Sequence, residues 1–409
     1  MLIDHTTTTA ATLMEDFASS FDPPGHAPSR RYLWTDAFAV CNYLALARRT
    51  AHGPHIERAL RLVEGVHHEL GRHRPGDLRT GWLSELGDKE GERHPTLGGL
   101  RIGKSLPERP ADEASSDELE WQRDGQYFHY LTKWMHALDQ VARATHRPHF
   151  NTWARELAVV AHRSFVHGLH SRGARRMHWK MSIDLSRPLV ASMGRHDPLD
   201  GFLTCLQLQN TASQLGTIAD GPNLRRQTAD FARMIERGDL ATADPLGIGG
   251  LLTHTALIAQ LGDAENFDGE PLMNALLTAA QQGLAHYSKR FDSRKSATQR
   301  LAFRELGLAI GLSAVSLVAG EVQADRLRFT GSAKFANALE ALRPYTALGS
   351  GILSFWLEPF HRQTNSWRHH QDINSVMLAS SLVPEGVVLL PQLEERWENR
   401  TNWPAAQHR

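Results

Sequence analysis

Residues 199–215 read LDGFLTCLQLQNTASQL, and residues 55–70 read HIERALRLVEGVHHEL. The first segment is apolar or small on nearly all sides, which is typical of a helix that is buried on every face. The second segment carries Ile56, Val63 and Leu70 on one stripe with charged residues opposite, as a helix at the protein surface does. The contrast between these two kinds of helix decides the predicted fold.

Both kinds of helix recur along the chain, and they alternate. All-round apolar helices are also predicted at 35–48, 126–142, 246–261, 304–319 and, more weakly, 371–383. One-sided helices are also predicted at 152–166, 224–235 and 271–287. Buried helices that alternate with surface helices predict an all-α fold, an (α/α)6 toroid of alternating inner and outer helices around a central funnel. An irregular α-solenoid or a two-domain helical bundle is the alternative.

The predicted toroid occupies residues 31–390 as a single domain, between an N-terminal extension at 1–30 and a C-terminal tail at 391–409. A chain of 409 residues that is 41% hydrophobic can bury a core of that size. Two long connections, at 74–123 and 171–197, lack a helical period. We expect them to be ordered loops at the funnel mouth, because long loops in compact domains usually carry function.

Composition excludes several classes of protein. Lys+Arg and Asp+Glu both total 45, and this zero net charge argues against a nucleic-acid partner. Two cysteines make no disulfide framework and the N-terminus shows no signal-peptide pattern, so we expect a cytoplasmic protein. The most apolar stretch, 306–320, is short for a membrane span and is interpreted as a core helix, so no membrane partner is expected. Nothing in the sequence indicates an oligomeric state.

Acidic residues stand at the start of the predicted inner helices, and in a toroid these starts converge on one mouth. Asp36, Asp124 and Asp200 lie in or next to apolar sequence, where a carboxylate needs a partner or a shifted pKa. Asp197 and Asp244 each precede a proline and are interpreted as helix caps. For Asp124 and Asp200, a structural ion pair with nearby arginines is the alternative to catalysis or ligand binding.

These acids support the first functional hypothesis, a carbohydrate-active hydrolase working in the funnel. One carboxylic acid would protonate the glycosidic oxygen while a second carboxylate activates water. The predicted catalytic residues are Asp124 and Asp200, with Asp36 and Glu120 in reserve. Residues predicted to contact a carbohydrate or sugar-like ligand are Trp34, Trp121, Arg123, Tyr127, His129, Trp179, Lys180, Asp184, Arg187, His196, His370 and Asp372. For Lys180, Asp184 and Arg187, a loop-fixing ion network is the alternative.

The 23 histidines support a second hypothesis, a sugar epimerase or isomerase on the same fold. Histidine titrates near neutral pH and therefore serves as a general acid or base. The candidates are His129, His196, His254 and His370. The third hypothesis is a non-catalytic helical protein that binds a small molecule or a partner.

Two motif matches are rejected, and neither a cofactor nor a metal is predicted. Residues 98–105, GGLRIGKS, fit the phosphate-loop pattern, which requires a strand before it and a helix after it. Pro107 and Pro110 block such a helix. His68 and His73 are five residues apart, whereas a zinc-binding helix places its histidines four apart.

The helical pattern resembles the six-hairpin glycosidase superfamily. This superfamily includes glucoamylase-like hydrolases, unsaturated glycuronyl hydrolases and the N-acylglucosamine/cellobiose 2-epimerases. The resemblance covers about residues 31–385 and rests on the alternation and on three helix openings: YLWTDAFAVCNYLAL (32–46), DGQYFHYLTKWMHALD (124–139) and HDPLDGFLTCLQLQ (196–209). It implies a toroid that acts on a sugar, and it carries over no catalytic residue, because fold alone does not fix function.

Overall fold

The computed structural model describes residues 4–21, 31–114, 116–168, 175–235, 239–261, 267–323, 333–391 and 393. The structure is mostly helical, with 66% of the chain in helices, and its few strands are short. The predicted all-α class is therefore confirmed.

Six helices coincide with the predicted all-round apolar segments, and we call them the core helices. They are α2 (Leu33–Thr50), α6 (Phe128–Thr145), α8 (Asp197–Gln214), α10 (Pro245–Leu261), α12 (Ala302–Gln323) and α16 (Gln371–Leu382). In α2 every residue from Leu33 to Ala47 is buried, and in α8 every residue from Asp197 to Gln209 is buried. Burial on all sides requires packing partners on all sides, as the composition of these segments predicts.

Six further helices pack on the outside of this set, and we call them the flanking helices. They are α1 (His5–Phe21), α3 (Gly53–Leu70), α7 (His149–Phe165), α9 (Arg225–Ile235), α11 (Glu270–Arg290) and α14 (Thr346–Leu357). In α3 the stripe of Ile56, Val63 and Leu70 is buried, while Glu57 and Glu64 are exposed. The predicted one-sided burial is confirmed in α3, whereas α7 is buried or half-buried over most of its length and exposes only His149 and Arg163.

The core helices follow one another in space as they do in sequence. Each packs against the next, from α2 through α6, α8, α10 and α12 to α16, and α16 packs against α2. Each core helix has one flanking helix against which it packs most extensively: α2 with α3, α6 with α7, α8 with α9, α10 with α11, α12 with α14 and α16 with α1. Helix α1 lies within the predicted N-terminal extension and contributes Ala10, Met14 and Phe17 to the main core.

Glycines allow α10 and α12 to pack backbone against backbone. A Cβ atom added at Gly249 would lie 2.1 Å from the carbonyl oxygen of Gly307. One added at Gly311 would lie 2.5 Å from the Cα of Gly249. Any side chain at these positions would force the helices apart. We call the contact of these three glycines the glycine seam.

The two predicted long loops contain only short elements. The first contains α4 (Asp88–Arg93) and α5 (Asp117–Glu120), and the second contains β3 (Arg176–Met177), β4 (Lys180–Met181) and β5 (Pro188–Val190). Strand β4 pairs antiparallel with β5 and with β1 (Gln126–Tyr127), while β3 pairs with β2 (Val166–His167). Residues 171–174 lie outside the described residues. Trp82 and Ile183 are buried, so both loops are packed against the protein as predicted.

Three more short α-helices lie in the part of the chain that the structure describes: α13 (Ala333–Glu340), α15 (Asn365–Arg368) and α17 (Glu385–Val388). Of the predicted C-terminal tail, residues 392 and 394–409 lie outside the described residues. The segment Ala302–Gly320 is long and apolar enough to cross a membrane by length and composition alone, and 61% of it is buried inside the protein. Its contacts with α10, α14 and α16 are those of a core helix.

The phosphate-loop match is ruled out by the hydrogen bonds of residues 98–105. The Leu100 N–H donates to the Gln126 side chain over 2.8 Å, and the Gly103 N–H donates to Asp124 over 3.0 Å. Among the described residues, the segment is preceded by no strand and is not followed directly by a helix. Its backbone donors are occupied inside the protein and are not free to bind a phosphate.

Candidate functional site

A cavity of about 380 Å³ lies between the core helices and is lined by side chains or backbone from all six of them. Its size falls in the range of about 300–1,000 Å³ that is usual for small-ligand sites. Helix α17 and Trp179, which precedes β4, complete the wall.

The lining residues on each helix are three or four positions apart, so each helix turns one face to the cavity. On α6 the face consists of His129, Thr132, Lys133 and His136, and on α8 it consists of Asp197, Asp200, Leu203, Thr204 and Gln207. Polar lining groups come mainly from the first two turns of α6 and α8 and from the third turn of α10, where Thr253 and His254 lie. Apolar lining residues include Leu257, Met377 and, from α17, Val388. We call the part of the wall around Asp200 and its partners the polar end of the cavity.

Asp200 is the central charge of the polar end. It is only 7% exposed, and its Oδ1 lies 2.9 Å from Nε2 of His254 and 3.2 Å from Nζ of Lys133. Burial raises the pKa of Asp200, but the charge of Lys133 and the hydrogen bond from His254 outweigh it and hold this pKa below its ordinary value. Asp200 is therefore an ionised carboxylate with two partners.

Asp197 lies one helical turn before Asp200 and, unlike Asp200, has a protonated, neutral carboxyl group. Burial and repulsion from Asp200 raise the pKa of Asp197 to about 8. Its Oδ2 accepts a hydrogen bond from the backbone N–H of Gly194 over 3.2 Å. The two acids on the first turn of α8 are thus a neutral and an ionised carboxyl group, a combination that acid–base catalysis uses.

Four histidines line the cavity, and the hydrogen-bond partners of three of them, His129, His196 and His254, indicate their tautomers. The Nε2–H of His254 donates to Asp200, and burial lowers the pKa of this imidazole. Nε2 of His196 lies 2.9 Å from the carbonyl oxygen of Leu240, which only accepts, so Nε2 carries the proton and Nδ1 keeps a lone pair. His129 has the reverse arrangement, because its Nδ1 accepts from the Trp179 indole N–H over 3.2 Å.

Burial lowers the pKa of His129 to about 4, so its imidazole is neutral at physiological pH and carries its proton on Nε2. In its neutral form His196 therefore has its lone pair on Nδ1, whereas His129 has its proton on Nε2. A proton acceptor and a proton donor in one cavity are what a proton-transfer reaction needs.

Aromatic rings form the rim at the polar end. Trp34 lies beside Phe38 with ring centroids 4.3 Å apart, and both line the cavity. Trp179 also lines the cavity, and its outer side meets Trp121 edge-on at 4.8 Å. Trp121 is 52% exposed, while Tyr127 is buried 5.7 Å from the Trp179 ring. The predicted aromatic group is present, and Trp34 and Trp179 are its members in the cavity wall.

Asp124, the first predicted catalytic acid, lies elsewhere. It is fully buried, and Oδ2 forms ion pairs with Arg101 at 2.7 Å and Arg74 at 3.0 Å. Its Oδ1 accepts from the backbone N–H groups of Gly103, Lys104 and Gly125. Asp124 is not among the cavity-lining residues, and its contacts are those of the structural alternative.

The two reserve acids are also held away from the cavity wall. Asp36 is 1% exposed, pairs with Arg31 at 3.5 Å, and has its pKa raised to about 7 by burial. Glu120 pairs with Arg109 and, at 3.3 Å, with the buried Lys180. Among the predicted catalytic residues, the structure places only Asp200 in the cavity.

Lys180, Asp184 and Arg187 form the loop-fixing network that was the alternative to ligand binding for these three residues. The Lys180 ammonium donates to the carbonyl oxygens of Glu120 and Arg123, at 2.6 and 2.9 Å. Asp184 pairs with Arg79 at 2.9 Å, and Arg187 donates to the carbonyl oxygen of Arg109. Arg123 pairs with Glu113, and neither His370 nor Asp372 lines the cavity.

Several lining residues were not predicted as ligand contacts. Lys133 is one of the few lysines in the chain. It lies one turn after His129 on α6, so once α6 is known to face a ligand this spacing identifies Lys133 as a second contact on the same face. Asp244 accepts from the Gly247 N–H at 3.0 Å, which confirms its predicted role as a cap, but it also lines the cavity. The cap interpretation of Asp197 is wrong, because Asp197 is the first residue inside α8 and its cap position is occupied by His196.

Among the described residues, no group of three or more His, Cys, Asp or Glu side chains is arranged to hold a metal ion. At the centre of the polar end, Lys133 and His254 both bind Asp200 directly. Neither a scan against models of known protein families nor a search of curated protein sequences finds a match for this chain.

Proposed function

We propose that the core and flanking helices form an (α/α)6 toroid whose funnel is the cavity. Three findings support this proposal. The core helices contact one another in sequence order and α16 contacts α2, each carries one flanking helix, and all six line a common cavity. Helix α1 would then be the outer partner of α16, so the predicted extension at 1–30 would contribute to the toroid.

We further propose that the cavity is the active site of an enzyme for a small polyhydroxylated substrate. Trp34 and Trp179 offer flat faces for a sugar ring, and Lys133, Gln207 and Thr253 offer polar groups for hydroxyls. Lys133 pairs with Asp200 and Asp197 is neutral, so the charges of the polar end largely cancel. This balance favours a neutral sugar over a strongly charged one.

The favoured reaction is proton transfer at the carbon next to the sugar carbonyl, as in an epimerase or isomerase. The observation that carries it is the histidine set. His129, His196 and His254 line one cavity, whereas Asp36, Asp124 and Glu120 are ion-paired outside it. The predicted acids therefore form no carboxylate pair in the cavity.

In this mechanism Nδ1 of His196 takes the proton from the carbon, and the C–H electron pair moves into the carbonyl group to form an enolate. The Nε2–H of His129 donates a hydrogen bond to the carbonyl oxygen as its charge develops. Asp200 orients His254 and stabilises its imidazolium form against the effect of burial. In that form His254 donates its Nδ1 proton to the carbon, and exchange with water then removes the proton from His196 and restores the one on His254. Delivery to the opposite face of that carbon gives the epimer.

Hydrolysis is the second candidate, and the acid pair on α8 favours it. Asp197, with its pKa raised to about 8, would protonate the glycosidic oxygen, and the ionised Asp200 would act as base or nucleophile. This assignment replaces Asp124 with Asp197 and keeps the hypothesis of a carboxylate pair.

Proton NMR of the purified protein with a panel of monosaccharides and disaccharides in D2O tests both reactions. Loss of a C2-proton signal without cleavage establishes proton transfer, whereas new anomeric signals establish hydrolysis. Under the first reaction His196→Gln should lower turnover by about 100-fold or more. His52→Gln, which replaces an exposed histidine outside the cavity, is the control. No change with any sugar would overturn both enzyme proposals.

A further inference from the structure

A second cavity, of about 340 Å³, lies between the end of α11 and the start of α12. Its wall is rich in positive charge from Arg290, Lys295, Arg300 and Arg304. Arg300 is buried, and Glu305 neutralises it through bonds of 2.7 to 3.0 Å. The other three cations determine what the cavity can bind.

Arg290 and Lys295 are both exposed and face this cavity from the two sides of one turn. Within the described ranges of the chain, no carboxylate forms an ion pair with either of them. One carboxylate between them, Asp292, also lines the cavity and is bound by Arg294 at 3.1 Å. The cavity therefore carries a net positive charge.

Arg304 connects the second cavity with the first. Its Nη1 lies 2.5 Å from Oδ1 of Asp244, while its buried Nε has no hydrogen-bond partner. A buried guanidinium donor without a partner is costly, and an anion in the cavity would satisfy it.

The wall between the two cavities is a single chain. Thr242, Asp244 and Leu246 line the first cavity, and Ala243 and Pro245 line the second. Residues 242–244 precede α10, Pro245 and Leu246 begin it, and successive residues of this segment turn to opposite sides. Because Arg304 pairs with Asp244, a ligand that binds Arg304 in the second cavity changes the charge environment of Asp244 in the first cavity.

We propose that the second cavity binds a phosphate group, either free or carried by a small metabolite. Arg290 and Lys295 receive the anion at the opening, and the fork of Arg304 donates to it from inside. The bound phosphate competes with Asp244 for Arg304, and so increases the negative charge at the rim of the first cavity. The binding site itself does not depend on the reaction proposed for the first cavity.

Isothermal titration calorimetry of the full chain with inorganic phosphate and with a hexose 6-phosphate, at low salt, tests the proposal. Arg290→Ala and Lys295→Ala should each weaken binding at least fivefold. Lys289→Ala is the matched control, because it removes the same charge from the last turn of α11 outside the cavity. It should change the affinity less than twofold. Circular dichroism should show that all three variants remain folded.

The two probes identify the source of the phosphate. Tenfold tighter binding of the hexose phosphate indicates a metabolite, and equal binding indicates that the phosphate group alone is recognised. No measurable heat with either probe, or equal weakening by Lys289→Ala and Arg290→Ala, overturns the site.

Asp244→Asn tests the connection between the cavities. It should tighten phosphate binding several-fold, because it releases Arg304 from its ion pair. An unchanged affinity overturns the coupling. The readout is binding and not turnover, so a failed enzyme assay leaves this result interpretable.

Discussion

Asp124 and Asp200 are both buried aspartates next to apolar sequence, but their surroundings differ in kind. Asp124 is fixed by two arginines and three backbone N–H groups and lines no part of the cavity. Asp200 is bound by Lys133 and His254, and all three line the cavity. Arginine and backbone donors keep their protons, whereas histidine and lysine can exchange theirs.

The difference separates structural acids from functional ones better than burial does. A carboxylate with every acceptor position filled by permanent donors stabilises the loops around it and has nothing left to offer a ligand. A carboxylate whose partners titrate and share its cavity can take part in proton transfer. Four predictions test this comparison.

Asp124→Asn should produce the largest loss of stability. It leaves Arg101, which is 4% exposed, facing a neutral group, and breaking a buried ion pair in this way costs about 3–5 kcal/mol. The free energy of unfolding in urea measures the loss. Asp88→Asn, at an exposed ion pair with Arg72, should cost less than about 1 kcal/mol. A cost below that of the control would show that the network around Asp124 is dispensable.

Asp200→Asn should affect turnover more than stability. The variant keeps the shape of the side chain but removes the charge that orients His254, so turnover in the NMR assay should fall about 100-fold or more. Folded Asp124→Asn protein should keep turnover within a few-fold of the wild type. If both variants lost turnover equally, the distinction between the two aspartates would be refuted.

Asp197→Asn should change how stability depends on pH. The pKa of Asp197 is raised from 3.8 to about 8, so between these values the folded chain holds a proton that the unfolded chain releases. Stability from this group is therefore fully present below about pH 4 and is lost as the pH rises towards 8. The asparagine variant lacks this loss, so its stability relative to the wild type should increase by about 1–3 kcal/mol from pH 5 to pH 8. Urea unfolding at both pH values measures it, and a constant difference would contradict the assignment.

Trp121→Ala should have the smallest effect. Trp121 is 52% exposed and touches the cavity only through Trp179, so its loss should raise the KM for a sugar a few-fold. The free energy of unfolding should change by less than about 1 kcal/mol. Phe360→Ala, at a 76% exposed ring in the turn after α14, is the control for loss of surface aromatic area. An unchanged KM would confine the aromatic contribution to Trp34 and Trp179.

Much of the helical architecture could be predicted from the sequence because the pattern of apolar residues in each segment indicates which of its faces are buried. A segment such as 199–215, apolar on all sides, is stable only as a helix with neighbours all round, and α8 is such a helix. The one-sided stripe of 55–70 likewise fixes which face of α3 is covered. These patterns are local, so they require no knowledge of distant residues.

The candidate site could be predicted only in part, because its geometry depends on contacts between distant residues. Asp200 and His254 are 54 positions apart, and nothing local to either indicates their 2.9 Å contact. Asp124 stands out in the sequence as an acid near aromatics, but its role is decided by Arg101 and Arg74, which the long loop brings to it. The starts of the core helices predict where the site lies. Choosing between the candidate acids requires knowing which ion pairs the loops form with them.

The glycine seam has a consequence for how the cavity selects a ligand by size and shape. Where Gly249 and Gly307 line it, the wall is main chain and cannot be trimmed or enlarged by exchanging side chains. That part of the wall has a fixed shape, so adjustment of the cavity to a ligand falls to the side chains that other helices, such as α6 and α8, contribute. Relatives of this protein with other ligands should therefore differ at the positions of Lys133, Leu203 and Gln207 while the seam stays glycine.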